Sequence, residues 1–290
     1  MAFIPGATGV GFYNSLSAGA KSEAEKLGYS YTYQGAATFS PTAQTPVVRA
    51  VCAKKPKILL IAPTDPVALR PAIQSCMDEG VKVVTVDTSL TNTQGLISQV
   101  SSNNIQGGAA AADLVGAKLG GKGQVAILSL DPTTTTQAQR VKGFKDELAK
   151  KYPGISVVAS EYTGQPVTVS ETDARAILTA HQDVKAFFGA AEPNALGVAQ
   201  VLTSMGKTSS ILNVGYDADP TEVTKLKSGA IAALIIQQPA LEGSSAVKFA
   251  NDDLTGKTSS IKKSLLLPNI VVTTAKASDP ASTKYYYSGS

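Results

Sequence analysis

The chain has 290 residues, of which 43% are hydrophobic and 17% are charged, and its formal net charge is +4. This composition is that of a globular protein and excludes a disordered chain, and no apolar run approaches the roughly 18 residues that a membrane-spanning helix requires. The basic residues cluster only at 54–57 and 262–263, without interleaved aromatic side chains, which argues against nucleic-acid binding.

Strand and helix signals alternate along the whole chain. The first half is predicted to contain strands at 3–4 and 29–33, strands beginning at Ile58 and Val83, and helices at 13–27, 42–53 and 107–119. The second half is predicted to contain strands at 125–129, 156–159, 186–189, 210–216, 231–236 and near 265–272, with helices at 137–150, 170–180, 194–204, 221–228 and 241–254. Such alternation specifies parallel sheets covered by helices on both faces, so the predicted fold class is α/β.

The pattern is also two-fold. One set of strand–helix units ends near 101–104, and a similar set begins at Val125. The last helix and the last strand follow the second set, so the chain is expected to return to the first lobe before it ends. Two α/β lobes joined by several crossings of the chain form a cleft between them.

An acidic residue ends one of the predicted strands. The apolar run from Ile58 is continuous, which predicts a strand buried on both faces, and Asp65 follows it at the position of a helix N-cap, with Pro66 at the first helical position. The strand from Val83 ends in Asp87, and open parallel sheets bind ligands beyond the carboxyl ends of their strands. Because no catalytic partner lies nearby in sequence, a carboxylate at this position indicates binding of a polar ligand and not catalysis.

The glycine-rich stretch 6–11 follows the first predicted strand, as a dinucleotide-binding loop does. No lysine follows at P-loop spacing, and no tyrosine has a lysine four residues later, as a short-chain dehydrogenase requires. The strand at 29–33 ends in Gln34-Gly35 instead of an acid for a ribose. An NAD(P)-dependent dehydrogenase is therefore a minor alternative, and a flexible loop at the edge of the cleft is the simpler interpretation.

Phe12 and Tyr13 close this loop and open the first helix. Two adjacent aromatic residues at the carboxyl edge of a sheet are either core residues or a platform for the C–H face of a sugar or polyol, with the tyrosine hydroxyl available for a hydrogen bond.

Catalytic and metal chemistry find little support. His181 is the only histidine and lies in a polar turn, no serine lies in a Gly-x-Ser-x-Gly elbow, and the two cysteines lack the spacing of a zinc site. Asp87, Glu192 and Asp217 all follow predicted strands, so a hydrolase with paired carboxylates is a further alternative. The same acids suit a binding protein, because one carboxylate accepts hydrogen bonds from two hydroxyl groups.

Cys52 and Cys76 fall near the ends of two successive predicted helices, which right-handed crossovers would place side by side on one sheet face. A disulfide is predicted, with two buried free thiols as the alternative; the bridge would contribute roughly 3 kcal/mol and would imply an oxidising compartment. A strand is predicted within a few residues of Met1, so no signal peptide is expected. The chain is then cytoplasmic, or a mature secreted protein without its leader.

Eight motifs follow one another in a fixed order along nearly the whole chain. They are Phe12-Tyr13, 63–65, Val86-Asp87, Gly107-Gly108, 140–144, 194–197, 214–217 and 237–239. In this order they resemble the type I periplasmic binding proteins, and among them the ribose-type and autoinducer-2/rhamnose-type receptors of ABC sugar importers. The resemblance implies a Venus-flytrap fold, in which two doubly wound parallel-sheet lobes are joined by a three-strand hinge.

The resemblance also implies the extent of each lobe and the function. The N-terminal lobe is expected to contain 1–103 plus 238–267, and the C-terminal lobe 104–237 plus 268–290. The implied protein is an extracytoplasmic monomer without enzymatic activity or cofactor. It binds a small neutral sugar or sugar alcohol by hinge closure and delivers it to the permease of an ABC importer. The sensing core of a LacI-type repressor or of a sensor would have the same fold, but this chain has no room for a helix-turn-helix before its first strand.

Eight ligand-binding residues follow from the resemblance, motif by motif. Phe12 and Tyr13 match the stacking aromatics of the family, and Asp87 matches the carboxylate of the N-terminal lobe. Asp217 and Gln237 match the acid and the hinge amide of ribose-type receptors, and Gln137 matches a binding glutamine of autoinducer-type receptors. Glu192 lies near a position that is polar in both groups, and Thr88 follows Asp87.

Three positions depart from the ribose-type pattern. Thr88 stands where ribose receptors have an arginine, Ala138 replaces a second binding arginine, and Ala191 aligns with a binding asparagine. Without two guanidinium groups the site lacks bidentate donors for sugar oxygens. A short-chain alditol or a different aldose is therefore expected in place of ribose.

Overall fold

Two six-stranded sheets covered by helices make up the computed structural model, which describes residues 1–287. The first sheet consists of β1 (Ala2–Ile4), β2 (Thr32–Tyr33), β3 (Ile58–Ile61), β4 (Lys82–Val86), β5 (Ser98–Ser102) and β11 (Ser264–Leu267). The second consists of β6 (Lys122–Ser129), β7 (Gly154–Tyr162), β8 (Val184–Gly189), β9 (Leu212–Tyr216), β10 (Ala233–Ile236) and β12 (Ile270–Thr273). All neighbouring strands are parallel except β10 and β12, which are antiparallel.

Helices cover both sheets. They are α1 (Gly11–Lys26), α2 (Pro41–Cys52), α3 (Arg70–Asp78), α4 (Asn104–Lys118), α5 (Thr135–Lys151), α6 (Val167–Ala180), α7 (Glu192–Ser204), α8 (Pro220–Ser228), α9 (Pro239–Leu254) and α10 (Pro280–Thr283). The predicted α/β class with two doubly wound lobes is confirmed.

The two sheets repeat one strand order. The first runs β11-β5-β4-β3-β1-β2 and the second β12-β10-β9-β8-β6-β7. In both, the order reverses beside the first strand of the lobe, which is where open α/β sheets form a ligand crevice at the carboxyl ends of their strands. The predicted two-fold repetition is therefore present in the topology.

The chain passes between the sheets three times, after β5, after β10 and after β11. The predicted lobe boundaries at 103/104, 237/238 and 267/268 coincide with these passages. The assignment of complete residue ranges to the lobes stays a prediction, and positions 288–290 of the predicted C-terminal lobe lie outside the described residues.

The single strand predicted near 265–272 is wrong, because two strands in different sheets occupy this segment. Pro268 and Asn269 separate them. Proline has no N–H for a sheet ladder, and the Asn269 side chain donates to the Asn103 carbonyl at 2.8 Å, which holds the chain at the passage. Strand β5 at Ser98–Ser102 was not predicted from the sequence either, because this strand has only one apolar residue, Val100.

The predicted start of the third helix is also wrong. Helix α3 begins at Arg70, and its N-cap is Leu69. The Asp65 carboxylate accepts instead from the backbone N–H groups of Val67 and Ala68, at 2.8 and 2.7 Å. Asp65 therefore caps a turn that precedes the helix, because an aspartate bonds its own following backbone as readily in a turn as at a helix start.

Helices α2 and α3 carry the two cysteines, as the sequence predicts. The structure joins Cys52 to Cys76, whose Cα atoms lie 5.3 Å apart, within the range that a disulfide requires. The strand between the two helices, β3, is buried on both faces.

Reduction of this bridge is expected to lower the free energy of unfolding by roughly 3 kcal/mol, because the unfolded chain regains the freedom of a closed loop. Thermal unfolding with and without a thiol reductant measures the effect. The Cys52→Ala/Cys76→Ala variant is the control, because reductant has no bond to act on in it. Equal melting temperatures of oxidised and reduced wild-type protein would contradict the prediction.

Candidate functional site

A cavity of about 100 Å³ lies between the two lobes, and residues of both lobes line it. The lining comes from loops at the carboxyl ends of strands and from the first turns of the helices that follow, as the fold predicts. Seven of the eight residues proposed from the sequence are among the lining residues: Phe12, Tyr13, Asp87, Gln137, Glu192, Asp217 and Gln237. Thr88 is not.

Two aspartates occupy equivalent places in the two lobes. Asp87 follows β4 and Asp217 follows β9, the fourth strand of each lobe, and their φ angles are 62° and 88°. The left-handed region is unfavourable for most side chains, but aspartate is one of the residues that tolerate it. Backbone strain of this kind is characteristic of functional sites, and here it turns both carboxylates into the cavity.

In the N-terminal lobe, Asp87 is paired with an aromatic residue. The Tyr13 hydroxyl donates to Oδ2 of Asp87 at 2.7 Å. The Phe12 ring packs edge-on against Tyr13, with centroids 5.3 Å apart. Burial raises the pKa of Asp87 to about 6, although Arg140 and the Tyr13 hydrogen bond lower it.

In the C-terminal lobe, Asp217 accepts two hydrogen bonds on one oxygen. Gln237 Nε2 donates to Oδ1 at 2.6 Å, and the Tyr287 hydroxyl donates to the same atom at 2.9 Å. Oδ2 lies 3.9 Å from a guanidinium nitrogen of Arg140. The amide oxygen of Gln237 is buried and has no hydrogen-bond partner within residues 1–287, so it is an acceptor in this wall of the cavity that no protein donor satisfies there.

Arg140 is the positively charged residue of the cavity lining, and it is 3% exposed. Its Nε donates to Asn104 Oδ1 and one terminal nitrogen to the Ala190 carbonyl, both at 2.8 Å. The guanidinium also lies 3.7 Å above the ring of Tyr216. The sequence places Arg140 only within a family motif, but its position three residues after Gln137 puts both on one face of α5.

Close contact between α4 and α5 positions this arginine. A Cβ on Gly108 would lie 2.0 Å from the backbone oxygen of Arg140, so only glycine permits the two helices to approach this closely. Asn104, at the start of α4, then reaches the guanidinium directly from the first passage between the lobes.

Two further carboxylates lie at the C-terminal wall of the cavity, Glu192 at the start of α7 and Asp219 at the start of α8. Burial and then the nearby Asp217 raise the pKa of Glu192 to about 7. Burial raises the pKa of Asp219 to about 8, with additional contributions from Glu192 and Asp217. With Asp87 and Asp217, four acidic side chains and one guanidinium line the cavity.

Comparisons with known proteins agree with this architecture. A family model described as a periplasmic binding protein domain matches residues 1–258. The ribose import binding protein of Bacillus subtilis is 32% identical over 89% of this chain and 81% of its own length. An ABC transporter solute-binding protein from Agrobacterium vitis, solved with α-D-tagatopyranose, superposes with a TM-score of 0.94 at 33% identity and covers 99% of this chain and 98% of its own.

This chain belongs to the type I periplasmic binding proteins of the ribose type. A carbohydrate transporter solute-binding protein from Agrobacterium radiobacter, solved with D-arabinose, also superposes, with a TM-score of 0.91 at 26% identity over 98% of this chain and 97% of its own. The predicted family is confirmed. The relatives are sugar-binding proteins of ABC importers, and these comparisons support neither a repressor core nor a dehydrogenase.

Gly6 and Gly11, two of the three glycines that suggested a dinucleotide loop, have a packing role in this periplasmic binding protein. A Cβ on Gly6 would lie 2.4 Å from the ring of Phe39 and 2.5 Å from the hydroxyl of Tyr13. A Cβ on Gly11 would lie 1.8 Å from Asp219. Small residues are needed here because aromatic and acidic side chains of the cavity wall press against the loop.

The proposed role of Thr88 in ligand binding is not supported. Its hydroxyl donates to the Pro63 carbonyl at 2.7 Å, within the N-terminal lobe, and the residue is 3% exposed. The turn at Asp87 directs one side chain into the cavity and the next one back into the lobe.

Residues 1–287 show neither a membrane-spanning helix nor a cluster of metal-ligating side chains. No helix in this part of the binding protein is both long and apolar enough to span a membrane. The same residues contain no group of three or more His, Cys, Asp and Glu side chains arranged to hold a metal ion.

The stability of the ligand-free binding protein is expected to fall as the pH rises from 5 to 8. Glu192 and Asp219 titrate at about 7 and about 8 in the folded chain, above the usual carboxyl range of the unfolded chain. The folded state therefore binds more protons in this interval, and ionisation at higher pH is penalised by burial. The expected loss is on the order of 2 kcal/mol, because one pKa unit corresponds to about 1.4 kcal/mol per group and water at the partly open site reduces the full value.

Melting curves at several pH values measure this loss. The Glu192→Gln/Asp219→Asn variant lacks both titrating groups and is expected to show a flatter dependence. A wild-type melting temperature that is higher at pH 8 than at pH 5.5 would contradict the assignment of these two groups.

Proposed function

We propose that the chain binds a small neutral sugar or sugar alcohol between its lobes and delivers it to the permease of an ABC importer by hinge closure. The observation that carries the proposal is the convergence of acidic, amide and aromatic side chains from both lobes on one cavity. A ligand that contacts both walls favours the closed state over the open one, and this difference in affinity drives the closure.

The chemistry of the lining favours a hydroxyl-rich ligand. Asp87 and Asp217 each accept one or more protein hydrogen bonds and keep further lone pairs, and Gln237 has an unpaired amide oxygen. Polyhydroxylated molecules supply many O–H donors, and hydrogen bonds to charged acceptors contribute about 1.5–3 kcal/mol each. Phe12 offers an apolar ring to the C–H face of the same ligand.

The size of the cavity fits a small carbohydrate. A buried water molecule needs about 10–15 Å³, so about 100 Å³ holds roughly seven to ten groups of that size, the range of a pentose or a short alditol. Ala138 and Ala191 stand where ribose-type receptors have an arginine and an asparagine, which argues for an alditol or an aldose other than ribose. Among the ligands of the relatives, D-arabinose is an aldopentose that fits these requirements.

Several further properties follow for a protein that works in this way. We infer an extracytoplasmic location, in which the Cys52–Cys76 bridge persists, and a monomer, because closure needs both lobes to move freely. The proposed function includes no enzymatic step, no cofactor and no nucleic-acid partner. The ligand-binding residues are proposed to be Phe12, Tyr13, Asp87, Gln137, Glu192, Asp217 and Gln237.

Isothermal titration calorimetry tests the proposal with D-tagatose, D-arabinose, D-ribose and a series of four- to six-carbon alditols. At least one of them is expected to bind with micromolar or higher affinity, and ribose is expected to bind more weakly than the best ligand. Adding arginine at the second missing position, with Ala138→Arg, is expected to shift the preference toward ribose. The absence of binding heat for every sugar and alditol would overturn the proposal.

A further inference from the structure

Helix α1 begins at the edge of the cavity without a capping side chain of its own. Its N-cap residue is Val10, which offers no side-chain oxygen, and its first turn contains no acidic residue. The first backbone N–H groups of a helix have no partner within the helix and form the positive end of its dipole. An acceptor from elsewhere in the molecule is therefore favoured at this position.

A carboxylate from the opposite lobe meets this need. Asp219 approaches Gly11, the first residue of α1, so that its carboxyl group lies against the N-terminus of this helix. A Cβ on Gly11 would lie 1.8 Å from Oδ1 and 2.9 Å from Cγ of Asp219. Asp219 is only 8% exposed, so the contact is shielded from water, and a side chain larger than hydrogen at position 11 would displace the Asp219 carboxyl group.

The same carboxylate also caps a helix in its own lobe. Asp219 is the N-cap of α8 and forms a capping box with Glu222, whose side chain accepts from the Asp219 backbone N–H at 3.3 Å. One carboxyl group thus lies at the N-terminal ends of two helices, α1 in one lobe and α8 in the other. Separation of the lobes breaks the contact with α1 and leaves the cap of α8 intact.

We propose that Asp219 is a cross-lobe helix cap that stabilises the closed state, and that Gly11 is required because any larger residue would hold the lobes apart. The proposal rests on the hinge closure described above and adds the pair of residues that determines how firmly the lobes stay closed. It also explains why α1 lacks a local cap. A capping side chain at position 10 or 11 would bind the first N–H groups of α1 in both the open and the closed state, and closure would then gain no stabilisation from Asp219.

Three variants and one control test this pair. Asp219→Ser keeps a good cap for α8 and removes the carboxylate from α1. Gly11→Ala adds the obstructing methyl group while improving helix propensity, so it does not weaken α1 itself, and Gly11 is not a lining residue of the cavity. The double variant combines the obstruction with a shorter residue at 219. Asp65→Ser is the matched control, because it replaces an aspartate that caps an exposed turn away from the cavity.

The affinity for the best sugar and the radius of gyration with and without it are measured for each protein. Asp219→Ser is expected to bind about tenfold more weakly, through faster dissociation, because the shorter side chain no longer reaches the N-terminus of α1. Gly11→Ala is expected to lose about a hundredfold or more and to remain in an expanded shape when sugar is added, because its methyl group overlaps the carboxylate. The double variant is expected to regain the affinity of Asp219→Ser, and the control to bind as wild type does.

Independent effects of the two substitutions would overturn the proposal, as would a Gly11→Ala variant that binds and closes like wild type. Failure of the proposed function has a different signature, namely that wild-type protein itself binds no sugar. In that case the radii of gyration of the ligand-free proteins decide. A larger radius in Gly11→Ala that is restored in the double variant supports the cross-lobe cap, and equal radii in all variants overturn it.

Discussion

Replacing Arg140 by methionine is expected to lower the free energy of unfolding by about 3–5 kcal/mol and to abolish sugar binding. Methionine preserves much of the apolar length of the side chain but none of its donors. Asn104 and the Ala190 carbonyl would each lose a partner at 2.8 Å, and the carboxylate of Asp217 would lose its nearest cation. A buried acceptor or charge without its partner costs far more than the pair contributes when it is complete.

Chemical denaturation gives the free energy of unfolding, and calorimetry with the best sugar gives the affinity. Lys142→Met is the matched control, because Lys142 lies on the same helix with an exposed side chain and pairs only with Asp146 one turn away. It is expected to change stability by less than about 0.5 kcal/mol. Arg140→Lys keeps the charge but lacks the planar guanidinium group, so its free energy of unfolding is expected to lie between those of Arg140→Met and Lys142→Met. An Arg140→Met protein as stable as the Lys142→Met control would show that the guanidinium is not the centre of this network.

The fold was predictable from the sequence because its determinants are local. Short segments, such as the continuous apolar run of β3, carry the hydrophobic patterns that identify strands and helices. The alternation of strands and helices then permits only a few sheet topologies. The exceptions have local reasons too. The passage at Pro268 interrupts a run of apolar residues, and β5 pairs through its backbone although its sequence is mostly polar.

The residues themselves made the candidate site predictable where an acidic residue ends a strand or where two aromatic residues are adjacent, and the family resemblance added Gln137. Asp87 and Asp217 each follow a recognisable strand, so the topology alone brings them to the same cavity. Contacts that form only when distant segments of the chain come together have no local signature in the sequence. The approach of Asp219 to Gly11 and the hydrogen bond from Tyr287 to Asp217 join residues far apart in the chain. The sequence around Asp219 indicates only a helix cap.

Replacing Asp87 by asparagine is expected to weaken sugar binding about a hundredfold at pH 7.5 while the melting temperature changes little. The amide has nearly the same shape but accepts fewer hydrogen bonds, and it has no charge to strengthen those from Tyr13 and from ligand hydroxyls. Loss of charge-assisted hydrogen bonds of about 1.5–3 kcal/mol accounts for a change of this size. Asp65→Asn, on an exposed turn of the same lobe, is the control that should bind normally.

The pH dependence of the affinity separates the charge of Asp87 from its shape. The pKa of Asp87 is about 6, so its carboxylate becomes protonated in the ligand-free protein as the pH falls through that value. The wild-type affinity is therefore expected to approach that of Asp87→Asn between pH 7.5 and pH 5, because protonation removes the charge that distinguishes the two proteins. The other cavity carboxyls are common to both proteins, so the ratio of the two affinities isolates Asp87. A ratio that stays constant from pH 7.5 to pH 5 would mean that the ionised form of Asp87 does not hold the ligand.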